Sequence, residues 1–195
     1  MTTAESSQSI LVEDLGESLV VVFNRPERRS PLSEVVVDQL ITILSSHSIR
    51  RNRQRVIFTG KEGVFASGAD LLEIDRLDSD MAPDFARKGQ HLMNLIAGLP
   101  QTIAAIDGFC FGGALDLAIS CDKRISSPSS KFCHPGVGLG IITGWGGTQR
   151  LPRLLGESRA LEMLLTARVV EAEEALHIGL IDEISSNPLE RALSL

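Results

Sequence analysis

Residues 102–122, TIAAIDGFCFGGALDLAISCD, constrain the fold more than any other stretch of this chain. The apolar run 103–106 reads as a buried strand that stops at the turn pair Asp107-Gly108. The glycine pair Gly112-Gly113 then opens a short apolar helix, predicted over 112–121, which turns one acid, Asp116, inward. Glycines at a helix start let another molecule approach the backbone closely, and the free N–H groups there can bind an oxyanion. An acid one turn further along faces the same space. That is the outline of a catalytic site.

The rest of the chain alternates short strands with helices, which indicates an α/β fold. Residues 9–14 and 17–23 flank Leu15-Gly16 and predict an N-terminal hairpin. Beyond the polar, Pro-broken stretch 24–29, Ser33 is read as the N-cap of a helix that buries Val36, Leu40, Ile43 and Leu44. A short buried strand spans 56–59. Residues 64–70, VFASGAD, read as a loop entering a helical turn, and Phe85, Leu92, Leu95, Ile96 and Leu99 mark an amphipathic helix that stops near Pro100. Strands are expected near 124–126, 131–134 and 180–184, and helices near 157–166 and 171–178. The stretch 136–147 reads as glycine-rich turns, and the last helical pattern runs out soon after Asn187-Pro188.

With 195 residues and no linker or repeat, one domain over 1–195 is expected. A formal charge of −6 does not favour a nucleic-acid or anionic-lipid partner, and no apolar run approaches the roughly 20 residues that span a bilayer. The opening MTTAESSQS lacks the basic and apolar regions of a secretory leader, so a cytoplasmic location is expected. Cys110, Cys121 and Cys133 lack paired metal spacing and read as reduced thiols. His47, His91, His134 and His177 show no zinc-binding spacing either, and no metal is expected. His134, just before Pro135-Gly136, is read as mainly structural.

Two glycine-bearing turns carry the chemistry. In VFASGADL, Gly68 removes bulk beside the N–H of Ser67; in GFCFGGAL, the N–H of Gly113 is free to donate. Two such donors could stabilise a thioester enolate, and losing one typically costs about 3 kcal/mol of barrier. Each turn alone is equally a tight structural turn. Asp116 has three readings: general acid/base, helix-dipole partner, or satisfied structural carboxylate. Arg28 and Arg29 are either an anion-binding pair or a solvated charge cluster. Residues 144–155, GWGGTQRLPRLL, contain no phosphate-cradling P-loop, and Trp145 either lines a pocket or packs.

Four stretches in this order, FNRPERRSPLS, VIFTGKEGVFASGADLLEI, TIAAIDGFCFGGALDLAISCDKRIS and the long run from KFCHPGVGLG to GLIDEI, resemble the crotonase (enoyl-CoA hydratase/isomerase) superfamily. The resemblance implies a spiral core of repeated ββα units, an acyl-CoA thioester substrate and no cofactor. It implies an oxyanion hole from the N–H groups of Ser67 and Gly113, with Asp116 as acid/base. Substrate contacts follow at Arg28, Ala66, Gly68, Ala69, Asp70, Leu71, Gly112 and Gly136. It further implies an enzyme of fatty-acid or related acyl-CoA metabolism that assembles as a trimer or hexamer.

Two departures bear on the reaction. Hydratases of the family usually carry two glutamates; the first position is Asp116 here and the second is Gly136, which can neither deprotonate water nor protonate carbon. Full hydratase chemistry is therefore not expected. Dienoyl-CoA isomerisation, decarboxylation, thioester hydrolysis and a non-catalytic acyl-CoA-binding subunit stand as alternatives. The family's C-terminal helical region is also short or missing, so either the chain is a short or truncated member or neighbouring subunits complete the pocket.

Overall fold

A computed structural model describes residues 8–46 and 55–195; His47 lies outside the described residues. The hairpin forms as expected, β1 (Ile10–Asp14) running antiparallel to β2 (Ser18–Phe23). After β3 (Pro31–Leu32) comes α1 (Glu34–Leu44), where the Ser33 hydroxyl accepts from the Val36 N–H at 3.4 Å. Three strands follow, β4 (Arg55–Thr59), β5 (Val64–Ala66) and β6 (Gly68–Ala69), and then α2 (Leu71–Ile74) and α3 (Ala82–Ala97). Next are β7 (Thr102–Ile106), β8 (Phe109–Phe111), α4 (Gly113–Ala118), β9 (Lys123–Ser126) and β10 (Lys131–Cys133). The chain continues through α5 (Gly147–Leu155), α6 (Glu157–Thr166), β11 (Val170–Glu171), α7 (Ala172–His177), β12 (Glu183–Ile184) and α8 (Pro188–Leu193).

The strands sort into a six-stranded sheet, β1-β2-β4-β7-β9-β12, a four-stranded sheet, β11-β10-β8-β5, and the small pair β3-β6. Successive pairs β4/β5, β7/β8 and β9/β10 each give one strand to either large sheet, all parallel within their sheets. Helices α2–α3 follow the first pair and α4 the second, so the chain winds as repeated ββα units. This is the expected spiral.

Strand alternation divides the core. Val21, Phe23, Val56, Phe58, Ala104 and Ile106 face the main cluster with α1 and α3, whereas Val20, Val22, Ile57, Ile103 and Ile125 face the opposite side. Burial on both faces explains why β2, β4 and β7 read as continuous apolar runs. The opposite side is covered by α8 through Leu189 and Ala192. That short helix is the last element, consistent with a helical pattern that runs out soon after Asn187-Pro188. Asn187 caps it by accepting from the Glu190 N–H, and six residues are too few to show a period in sequence.

Other expectations shift. Residues 64–70 form β5 and β6 rather than a loop, because their pairings with β8 and β3 are long-range. The helix predicted over 112–121 is only Gly113–Ala118. Ile43 is half-buried while Val37 is buried in α1. The glycine-rich stretch ends in a helix, α5, that buries Gly147, Leu151 and Leu155.

Candidate active site

Ser67 stands between β5 and β6, and both flanking strands are paired to other parts of the chain. Its position is therefore set by four backbone segments rather than by a free loop. Gly113 opens α4, while the N–H of Gly112 before it is held by the Cys133 carbonyl at 2.8 Å. The N–H groups of Ser67 and Gly113 make no hydrogen bond to another described group. The two turns touch: a Cβ at Gly68 would lie 2.6 Å from Gly113 N and 2.7 Å from Phe111 O. Gly68 thus lets two strand ends meet, a tighter requirement than freeing one amide.

Ser67 and Gly113 line one cavity of about 260 Å³ together with Asp116 and His134. Its wall is otherwise mainly apolar, with Leu71, Ile74, Leu77, Phe85, Ile142 and Trp145. Trp145 is buried, lies with its ring centroid 5.5 Å from that of Phe85, and so both lines the cavity and packs. Ala69, Leu71, Gly112 and Gly136 reach the same cavity. Ala66 and Gly68 are buried behind it, and Asp70 instead caps α2, its Oδ1 accepting the Leu72 N–H at 2.9 Å. Arg28 is exposed at the end of a 3-10 turn, Pro26–Arg28, away from the cavity wall.

Asp116 is fully buried in the first turn of α4. Its Oδ2 accepts the Thr143 hydroxyl, and its Oδ1 lies 3.3 Å from His134 Nε2. That contact is close enough for an ion pair, yet the ring N–H direction misses hydrogen-bond geometry, and neither atom has another partner. Burial lowers the pKa of Arg150 in α5, while the charge of Asp116 works in the opposite direction. His134 and Thr143 were not among the sequence-derived site residues. They lie 18 and 27 positions from Asp116, and only the adjacency of His134 to Pro135-Gly136 hinted at the pocket.

The position of Gly136 is closed to a larger residue. A Cβ there would lie 2.7 Å from the Ile141 carbonyl oxygen, and the Ile141 N–H donates to the Gly136 carbonyl at 3.0 Å. Among the described residues, no three His, Cys, Asp or Glu side chains are grouped to hold a metal ion, and no helix is long and apolar enough to cross a membrane.

A family model described as enoyl-CoA hydratase/isomerase matches residues 16–192, a span containing every residue of this cavity. The chain belongs to the enoyl-CoA hydratase/isomerase family. It is 36% identical over 179 residues to the crotonyl-CoA hydratase of Syntrophomonas wolfei, covering 91% of this chain and 69% of that one. It is 35% identical over 178 residues to the short-chain-enoyl-CoA hydratase of Clostridium acetobutylicum, covering 90% and 68%. The crystal structure of an enoyl-CoA hydratase from Bacillus anthracis superposes with a TM-score of 0.88 at 34% identity, over 96% of this chain and 74% of that one. The spiral of ββα units is thus the family's fold.

Proposed function

We propose that this protein acts on an acyl-CoA thioester through a stabilised enolate. The thioester carbonyl oxygen would accept hydrogen bonds from the N–H groups of Ser67 and Gly113, and the reacting proton would move at the Asp116 centre. One observation carries the reading: two backbone donors without acceptors share one cavity wall with a buried carboxylate. Donors fixed in advance stabilise a developing oxyanion without reorganising, and each is worth about 3 kcal/mol of barrier. Proton transfer by a positioned side chain adds roughly 10²–10⁴-fold. The apolar wall suits the acyl chain and strengthens these electrostatic interactions by excluding water.

Gly136 leaves the site without a second carboxylate on that loop, which favours proton transfer to and from carbon over efficient addition of water. Replacing Asp116 with Asn should abolish turnover of the acyl-CoA substrate while thioester binding, measured by calorimetry, stays within a few-fold. Unchanged turnover would remove Asp116 from the mechanism. A panel of enoyl-, dienoyl- and saturated acyl-CoA thioesters, followed by absorbance and mass spectrometry, separates isomerase, hydratase, decarboxylase and hydrolase chemistry from binding without turnover. Assembly as a trimer or hexamer belongs to the same reading and is tested by light scattering. A cytoplasmic location fits Cys110, Cys121 and Cys133, all free and buried.

A further inference from the structure

Asp116 is the acid of this site, yet its carboxylate is walled in. The side chain is 1% exposed. Oδ2 is taken by Thr143, and Oδ1 is sealed between His134 Nε2 and Gly147, where an added Cβ would collide with it. His134 is buried too, its side chain 4% exposed, but its two ring nitrogens differ. It follows the last residue of β10, lines the cavity, and turns Nε2 toward Asp116. Its Nδ1 makes no hydrogen bond among the described residues and, unlike Nε2, is not one of the sealed unpaired atoms. One edge of the imidazole therefore meets the carboxylate, and the other retains access.

We infer that His134 is the group that exchanges the proton with substrate, and that Asp116 is a positioning residue acting through it. The proposal rests on the thioester reading above. It follows from charge: a carboxylate oxygen 3.3 Å from one imidazole nitrogen stabilises the imidazolium that forms. In the step, the Nδ1 lone pair takes the α-proton of the acyl group. The C–H electron pair moves into the enolate, whose negative charge comes to rest on the thioester oxygen at the Ser67 and Gly113 amides. The proton on Nε2 stays with the ring, facing Asp116 Oδ1, so the new positive charge forms next to a carboxylate. Return of the Nδ1 proton to the α- or γ-carbon restores the neutral ring. Two other groups bear on Asp116: Arg150 from α5, a fixed cation, and Cys110 from β8, whose thiol burial holds well above the ordinary range and so keeps neutral.

Two measurements test this. With the acyl-CoA that the panel identifies as substrate, His134→Gln should lower kcat at least about 100-fold with KM within about 3-fold. Asp116→Asn should show the same pattern, and the double variant should be no slower than the worse single one, as for residues acting as a unit. His134→Gln retaining kcat within about 5-fold while Asp116→Asn abolishes turnover would overturn the proposal and leave the thioester reading intact. The second measurement needs no turnover. In ¹⁵N-labelled protein, the His134 Nε2 resonance should shift in Asp116→Asn, and Nδ1 should shift when butyryl-CoA, a saturated thioester, binds. If butyryl-CoA binds and Nδ1 does not respond, His134 does not face the substrate and the proposal falls alone. If no CoA thioester binds, the thioester reading falls and takes this proposal with it.

Discussion

Gly68→Ala tests whether the two amide-bearing turns form one rigid unit. Gly68 has φ +88°, in the left-handed region, and an added Cβ would stand 2.6 Å from Gly113 N, 2.7 Å from Phe111 O and 3.3 Å from the Gly112 carbonyl carbon. All three neighbours are backbone atoms, so no side chain can swing aside. To regain ordinary van der Waals spacing, the turn at 67–69 and the start of α4 must part by roughly 0.8 Å. The left-handed conformation costs a residue with Cβ about 1–2 kcal/mol, and forcing atoms into packed space costs about 1–3 kcal/mol. Together these predict a loss of about 2–5 kcal/mol, or roughly 4–20 °C in Tm for a chain of this size. The same displacement separates the amides of Ser67 and Gly113, and a misplacement near 1 Å costs on the order of 100-fold in rate.

Gly179→Ala is the matched control. Its φ is +82°, but no atom lies within 4 Å of the added Cβ, so it carries only the conformational cost of about 1–2 kcal/mol, with kcat unchanged. Thermal unfolding by calorimetry and kcat on the same preparations read both effects. Equal Tm losses for the two variants, with kcat equally preserved, would refute the argument that Gly68 holds the donors in register.

Two further outcomes follow from particular contacts. Gly136→Glu should lower Tm and confer no hydratase activity in an enoyl-CoA absorbance assay, because the new Cβ meets the Ile141 carbonyl at 2.7 Å and the segment 136–141 must move to admit it; a variant that gains hydration would show that a missing carboxylate is the site's only difference from a hydratase. Glu183 is held below the ordinary carboxylate range, first by the Arg191 guanidinium at 2.5 Å and then by Lys123 at 3.2 Å. A depressed carboxylate stabilises the fold above its unfolded pKa and loses that contribution as pH falls through the folded one. Glu183→Gln should therefore lower Tm at pH 7, and the gap should begin to narrow as pH falls below the ordinary glutamate value of about 4.3 and close only once pH drops below the depressed folded value, where both chains carry a neutral side chain; a gap independent of pH would assign the loss to packing instead.

What could be read from the residue order was local. The strand 103–106, the turn at Asp107-Gly108 and the helix after Gly112-Gly113 are consecutive, and each is specified by side chains within a few positions. The unbonded amides of Ser67 and Gly113 are legible for the same reason. A backbone N–H needs only a turn to free it, and glycines mark the turn. Short strands were harder, because β5, β6 and β8 are three, two and three residues long and exist through partners far along the chain. Helix α5 was hidden by its own glycines and Pro152, which locally argue for turns; burial of Leu151 and Leu155 outweighs them. The capping role of Asp70 is a related case: a carboxylate just before a helix serves its first turn as readily as a ligand, and it caps α2.

The environment of Asp116 is the opposite case. Its neighbours come from the end of β10, the segment before Trp145 and the start of α5, and nothing near Asp116 in sequence points to them. In sequence, Gly136 reads as a subtraction, one carboxylate lost from a pair. In three dimensions the lost side chain has no empty place waiting for it. The Ile141 backbone occupies that direction and is tied back to Gly136 by a 3.0 Å hydrogen bond. Two residues upstream, on the same short connection, His134 turns a nitrogen onto the one remaining acid. Both positions lie on one short connection that lines the cavity with Asp116, so Gly136→Glu and His134→Gln should both perturb the surroundings of that carboxylate, from opposite ends of three residues.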